Sequence, residues 1–180
     1  RQIVIRDRVN GARDYTKLVN DFEERQPYLE CFCCPPNLVR TVSKLSGWAY
    51  SKSANGISVN LYGGNKLKTT LLDGSALELS QVTKYPWEGK VEITINKCKK
   101  EPFDVMLRIP AWAKGTTLKV NGEDAGVDVK VGDFATISRK WSKGDVITVD
   151  MPMEITLVEG NTLIEETRNQ VAVKRGPVVY

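Results

Sequence analysis

The chain has 180 residues, room for one domain or one domain with part of another. It is 41% hydrophobic and 27% charged, which excludes a disordered tail, and its apolar runs are far shorter than the ~20 residues needed to span a bilayer. Net charge is +4, from 26 basic and 22 acidic residues spread along the chain. Nucleic-acid binders cluster their Lys and Arg, whereas the densest group here, Lys97, Lys99 and Lys100, reads as a solvated turn. No nucleic-acid or membrane partner is therefore expected. The chain contains no histidine, so no Ser–His or Cys–His nucleophile pair can be assembled from it. Acid–base chemistry would need shifted carboxylates, Cys or Lys, or groups outside these residues. Residue 1 is Arg and no signal segment follows it, so the natural N-terminus is expected to lie upstream.

Composition changes near residue 54. Before it, Tyr15, Leu18, Val19 and Phe22 share one helical face, closed by Arg25-Gln26-Pro27. A second helix should start at Pro35-Pro36, carry the apolar stripe Leu38, Val39, Val42 and Leu45, and stop near Gly47. Two short helices bury too little to form a core, and they read as the edge of a larger helical domain upstream.

After residue 54 the pattern alternates with period two. Ile57, Val59 and Leu61 share a face, as do Val91, Ile93 and Ile95, and Phe103, Val105, Leu107 and Ile109. Further strands are predicted at 77–83, 118–120, 134–137, 146–151, 155–158 and 171–173. Turn signals separate them at Asn55-Gly56, Asp73-Gly74, Asn121-Gly122 and Lys143-Gly144-Asp145. The fold class is mainly β: an antiparallel β-sandwich over 54–180, preceded by a short helical remnant over 1–53. Val91, Ile93, Val105, Leu107, Ile109, Val120 and Ile137 are expected in the core.

Chemistry concentrates in Glu30-Cys31-Phe32-Cys33-Cys34-Pro35-Pro36-Asn37. Cys33 and Cys34 precede the predicted helix, whose N-terminal dipole lowers thiol pKa values. Three readings are open. The cysteines could be structural, although adjacent cysteines ~3.8 Å apart at Cα make a poor disulfide. They could hold zinc, for which one tight cluster supplies half a tetrahedral site. Or one is an activated thiolate nucleophile. Trp87 and Trp112 could stack on sugars but more often such residues fill a core or an interdomain contact. Asn60, Asp133 and Asp145 have turn or strand-face explanations.

Cys33-Cys34-Pro35-Pro36-Asn37 with Arg40 resembles the corresponding segment of bacterial β-L-arabinofuranosidases of glycoside hydrolase family 127. So do Gly56-Ile57, Val59-Asn60-Leu61-Tyr62, Thr83-Lys84-Tyr85-Pro86-Trp87-Glu88-Gly89 and Leu107-Arg108-Ile109-Pro110-Ala111-Trp112. Val120-Asn121-Gly122, Arg139-Lys140-Trp141, Gly144-Asp145, Met151-Pro152-Met153 and Arg175-Gly176-Pro177-Val178-Val179-Tyr180 continue it in family order.

The resemblance implies an N-terminal (α/α)6 barrel followed by β-sandwich domains. Residues 1–53 would be the last strip of that barrel and 54–180 a sandwich domain. It implies a retaining, zinc-dependent glycosidase in which Cys33 is nucleophile and zinc ligand and Cys34 is a zinc ligand. The substrate would be an arabinofuranosyl-containing oligosaccharide or a related plant-glycan sugar, and the partner the upstream barrel of the same protein. In the family a Glu-x-Cys pair completes the zinc site and a separate glutamate is the acid/base. This sequence contains no Glu-x-Cys, and Glu23, Glu24 and Glu30 are not assigned to either role. The zinc site is thus incomplete in this chain, and the fragment alone is expected to be inactive. Two alternatives stay open: a non-catalytic carbohydrate-binding or domain-packing module, and a thiol redox or metal-sensing protein. The latter lacks a βαβ pattern around the cysteines. Compartment, cytoplasm or periplasm, is left open.

Overall fold

Pro35 and Pro36 sit in the first turn of helix α1, Cys34–Trp48, where proline's fixed φ suits the helix and its missing N–H has no partner to lose. The structure is a computed structural model that describes residues 34–180. The predicted helix around 15–22 lies outside them. Gly47 does not stop α1: Ala49 N–H still bonds the Leu45 carbonyl at 3.1 Å, and the helix ends where the chain enters the first strand. The expected stripe exists and is exposed at Leu38, Val39, Val42 and Leu45, as is Trp48. Ser43–Tyr180 form one compact unit, and the described residues before Ser43 belong to another.

Three sheets follow. Strands β1 (Tyr50–Lys52), β2 (Gly56–Val59), β6 (Phe103–Arg108) and β9 (Phe134–Arg139) form the first, in the order β1-β2-β6-β9. The second has six strands in the order β3-β4-β5-β10-β7-β8. These are β3 (Asn65–Thr70), β4 (Ala76–Thr83), β5 (Lys90–Lys97), β7 (Thr117–Val120), β8 (Glu123–Asp124) and β10 (Val146–Asp150). A small third sheet joins β11 (Ile155–Glu159), β12 (Val171–Arg175) and β13 (Val178–Val179), with a 3-10 turn at Glu165–Thr167 between β11 and β12.

Alternation decides the core. Val91, Ile93 and Ile95 of β5 are buried on one face, and so are Leu77 and Leu79 of β4 and Ile147 and Val149 of β10. Against them lie Ile57 and Val59 of β2, Phe103, Val105 and Leu107 of β6, and Ile137 of β9, all in one continuous cluster. The seven core residues expected from the alternation are all buried there. This is a two-layer sandwich of the first and second sheets.

The ladders are antiparallel except β2–β6, which is parallel. The chain leaves β2, builds β3, β4 and β5 in the other sheet, and returns as β6, so the connection is a crossover instead of a hairpin. Gly56 makes this pairing possible: a Cβ there would strike the Asp104 carbonyl oxygen. Asn121-Gly122 behaves as its sequence suggests. Both residues have positive φ, 53° and 88°, and they join β7 to β8 as a two-residue hairpin loop.

Two polar devices close the sandwich. At one edge the Tyr50 hydroxyl of β1 donates to Asn65 Oδ1 of β3 at 2.7 Å, and it accepts from Gln81 Nε2 of β4 at 2.6 Å. Gln81 is only 3% exposed, and the same amide nitrogen also reaches the Leu61 carbonyl at 3.3 Å. Burial raises the Tyr50 pKa, with the two side-chain hydrogen bonds working against it. After β9, Trp141 is buried; its Nε1 donates to the Phe103 carbonyl at 2.9 Å, and the Arg139 guanidinium lies 5.4 Å from its ring centre. Trp141→Ala should cost about 3–5 kcal/mol of unfolding free energy, the range for deleting a large buried aromatic. Tyr50→Phe should cost about 1–3 kcal/mol, because it removes the donor to half-buried Asn65 and one of the two acceptors of the buried Gln81 amide. Urea denaturation of both variants checks these values, and a loss below measurement error for either would be inconsistent with the packing described.

Candidate functional site

Cys34 is the first residue of α1, and no Asp or Glu occupies the helix's first turn. Among the described residues no carboxylate in that turn offsets the positive end of the helix dipole. Arg40, one turn on, donates from Nη1 to Asn37 Oδ1 at 2.7 Å, which fixes the polar side of this turn. Cys33 lies outside the described residues, as do Cys31 and the glutamates at 23, 24 and 30. Among the described residues no group of three or more His, Cys, Asp or Glu is arranged to hold a metal. Adjacent thiols suit a soft tetrahedral ion such as zinc as half of a ligand set, so the donor chemistry at Cys33 and Cys34 fits zinc without completing it.

Cys98 has a different character. It is a free, half-buried thiol whose Sγ–H donates to the Trp141 carbonyl at 3.4 Å. Burial, followed by the Asp145 charge, pushes its pKa up, so the thiol stays neutral at neutral pH.

The other residues singled out from sequence have structural partners. Asn60 Nδ2 donates to the Trp48 carbonyl and to Ser51 Oγ, tying the residue after β2 to the end of α1 and to β1. Asp133 accepts from the Phe134 backbone N–H. Asp145 is bonded by Asn121 Nδ2 and the Ser142 N–H; desolvation pushes its pKa up, but these bonds and the Arg139 charge together lower it.

The two tryptophans part company. Trp87 is exposed, and its backbone carbonyl accepts from Arg175 Nη1 at 2.9 Å. Trp112 packs on the core, stacked on Tyr85 at 6.4 Å with 19° between the rings. Tyr62 meets Tyr85 edge-on at 6.2 Å, and its hydroxyl donates to the Arg108 carbonyl at 2.8 Å. Burial drives the Tyr62 pKa far up, so this phenol stays a neutral donor. The core reading of Trp112 holds, but its assembly with Tyr62 and Tyr85 is not legible in the sequence, because the three lie on three different loops. Gly176 abuts the same cluster: a Cβ there would strike Met153 Sδ and come within 3.4 Å of the Trp112 ring.

The family model for the β-L-arabinofuranosidase GH127 middle domain matches residues 56–153, more than half of the chain. The chain belongs to glycoside hydrolase family 127. The matched span starts at the first residue of β2 and ends between β10 and β11, so it contains most of the two-layer sandwich. Over 162 residues the chain is 30% identical to a non-reducing end β-L-arabinofuranosidase of Bifidobacterium longum subsp. longum, covering 87% of this chain and 24% of that protein. A solved glycoside hydrolase is 44% identical with a TM-score of 0.82, covering 93% of this chain and 28% of the other. A crystal structure of a family 127 β-L-arabinofuranosidase from Geobacillus stearothermophilus T6 is 34% identical with a TM-score of 0.74, covering 86% and 24%. The chain thus spans about a quarter of the length of these family 127 relatives.

The environment of Cys98 makes a direct test possible. In a short iodoacetamide pulse at pH 7.5, followed by peptide mass mapping, Cys98 should be alkylated well below the rate of an unstructured cysteine peptide. The ratio should rise as pH is raised, because the thiolate is the reacting form. Alkylation at the peptide rate at neutral pH would contradict the buried, hydrogen-bonded thiol.

Proposed function

We propose that the chain is the last strip of a helical barrel, 1–53 apart from β1, and the adjoining β-sandwich with its small third sheet, 54–180, of a retaining glycoside hydrolase. Its substrates would be β-L-arabinofuranosides or related plant-glycan sugars, with Cys33 as nucleophile. The observation that carries this is Cys33-Cys34-Pro35-Pro36-Asn37 leading into a helix whose apolar stripe is exposed, in a chain of family 127. An uncovered stripe of Leu38, Val39, Val42, Leu45 and Trp48 is what one helix of a larger barrel presents when its neighbours lie elsewhere in the protein. A stacking platform for free sugars is less favoured, since Tyr62, Tyr85 and Trp112 are packed on one another and on the core.

The reaction runs in two displacements. The Cys33 thiolate attacks the anomeric carbon, a C–S bond forms, and the glycosidic C–O bond breaks. The leaving oxygen takes a proton from an acid/base carboxyl outside the described residues, the counterpart of the second carboxylate in ordinary retaining enzymes. That carboxylate then accepts a proton from water, the water oxygen bonds to the anomeric carbon, and the C–S bond breaks to return the thiolate. The helix N-terminus favours the anionic sulfur in both steps. Bound zinc, held by Cys33 and Cys34 together with ligands from elsewhere in the protein, would supply Lewis acidity that favours thiolate over thiol.

Cys33→Ser in the protein that carries the upstream barrel should lower kcat/KM on an aryl β-L-arabinofuranoside by about 10³-fold or more, equivalent to about 4 kcal/mol of barrier. Cys98→Ser should stay within about twofold of the parent, as expected for a thiol remote from the chemistry. Near-normal turnover by Cys33→Ser would remove the nucleophile assignment. The isolated 180-residue chain should show no useful turnover, since absence of the acid/base alone removes about 10²–10⁴-fold.

A further inference from the structure

The lysines that read from sequence as a solvated turn do not stand alone. Lys97 ends β5, Lys99 and Lys100 follow it, and the β9–β10 loop brings Lys140 and Lys143 to the same place. With Glu78 they line an open groove of 630 Å³. Main-chain bonds lock the two loops together. Gly144 N–H bonds the Ile95 carbonyl at 2.8 Å, and Ile95 N–H bonds the Asp145 carbonyl at 2.9 Å. The Cys98 thiol adds a third tie to the Trp141 carbonyl. The groove is therefore built on a fixed frame.

Its charge is unbalanced. Lys99 is neutralised by Asp73 at 2.6 Å, and Glu78 faces Lys68 at 3.7 Å. Asp145 is committed to Asn121 and Ser142. Lys97, Lys100, Lys140 and Lys143 are exposed and form no ion pair among the described residues. These four charges equal the formal excess of the whole chain, +4.

The geometry points to a binding groove for a glycan chain bearing carboxylates, such as a run of uronic acid residues, at a surface of the sandwich built by the β5–β6 and β9–β10 loops. This rests on the glycoside hydrolase reading above for the choice of a glycan. Compact lysine ammonium groups act as separate point charges and suit spaced monoanions, whereas phosphate recognition favours the bidentate fork of arginine, which the lining lacks. Single-stranded nucleic acid also needs exposed aromatic faces for its bases, and the one aromatic in the lining, Trp141, is buried. Neutral sugars would meet four uncompensated charges and nothing to stack on. The groove would hold an acidic polymer against the domain and raise the local concentration of its branches.

The test is calorimetric titration of the 180-residue chain with short oligogalacturonate, its methyl ester, a neutral arabino-oligosaccharide and single-stranded DNA of matched charge. Oligogalacturonate should bind and lose affinity steeply with added salt, since the contacts are exposed charge pairs. The methyl ester and the arabino-oligosaccharide should not bind measurably, and the DNA should bind more weakly. Changing Lys97, Lys100, Lys140 and Lys143 together to Gln should weaken oligogalacturonate binding by at least about tenfold, four lost charge pairs each contributing a fraction of 1 kcal/mol. The same four changed to Arg should retain it, and Lys52, Lys66, Lys119 and Lys130 changed to Gln should leave it within about twofold. Unchanged binding by the first Gln set, equal binding of the ester, or tighter binding of DNA would each overturn the proposal. Turnover of a β-L-arabinofuranoside by the barrel-containing protein is read separately. Turnover without oligogalacturonate binding rejects the groove alone, and oligogalacturonate binding without turnover rejects the glycosidase reading alone.

Discussion

Everything else in the described structure hangs on the dry seam between the four-stranded and six-stranded sheets. Two-residue alternation gives each sheet one apolar face, and neither face is stable in water without the other. Once the faces meet, the edges need sealing, and the two edges are sealed differently. Tyr50, Asn65 and Gln81 bridge the sheets with hydrogen bonds, whereas Trp141 fills space and donates one bond to Phe103. The parallel β2–β6 pair is a further consequence. A chain that crosses to the other sheet and back re-enters from the same end, and only Gly56 lets the two backbones approach closely enough there.

A rigid sandwich of this kind is a good frame for loops and a poor place for chemistry. Its core contains no charged side chain: the buried polar residues are Gln81 and Thr116, and both take part in hydrogen bonds. Cys33 and Cys34, the residues proposed to carry the chemistry, precede the sandwich in the sequence. Under the function proposed above, the sandwich would support a catalytic domain built elsewhere in the protein. The apolar residues left uncovered on α1 and on the third sheet, among them Ile155, Leu157 and Val179, are the kind of surface that a larger protein buries.

Much of this was legible in the sequence because the informative strands are central ones. β4, β5, β6, β7 and β10 carry a full apolar face, and the alternation of Val91-Ile93-Ile95 or Phe103-Val105-Leu107 identifies them directly. The strands that escaped, β1, β3, β8 and β13, all lie at sheet edges. Edge strands are short and polar, which discourages pairing with other chains and also erases the periodic signal. Tyr50-Ser51-Lys52 holds a single apolar ring, and Asn65–Thr70 a single leucine. The crossover was hidden for another reason: parallel pairing depends on the path of the chain, not on local pattern. At the candidate site, Pro35-Pro36 and the stripe behind them announced the helix. The lysine groove gave no such sign, because Lys97–Lys100 and Lys140–Lys143 are about forty residues apart and are joined through the pairing of β5 with β10.

The most direct measurement is mass-spectrometric trapping of the covalent intermediate in the barrel-containing protein. Enzyme quenched in acid during turnover of a β-L-arabinofuranoside should yield one peptide heavier by an arabinosyl residue, the one containing Cys33-Cys34-Pro35-Pro36-Asn37, with the added mass on Cys33. An arabinosyl group on a carboxylate, on Cys34 or on Cys98 would contradict a Cys33 nucleophile.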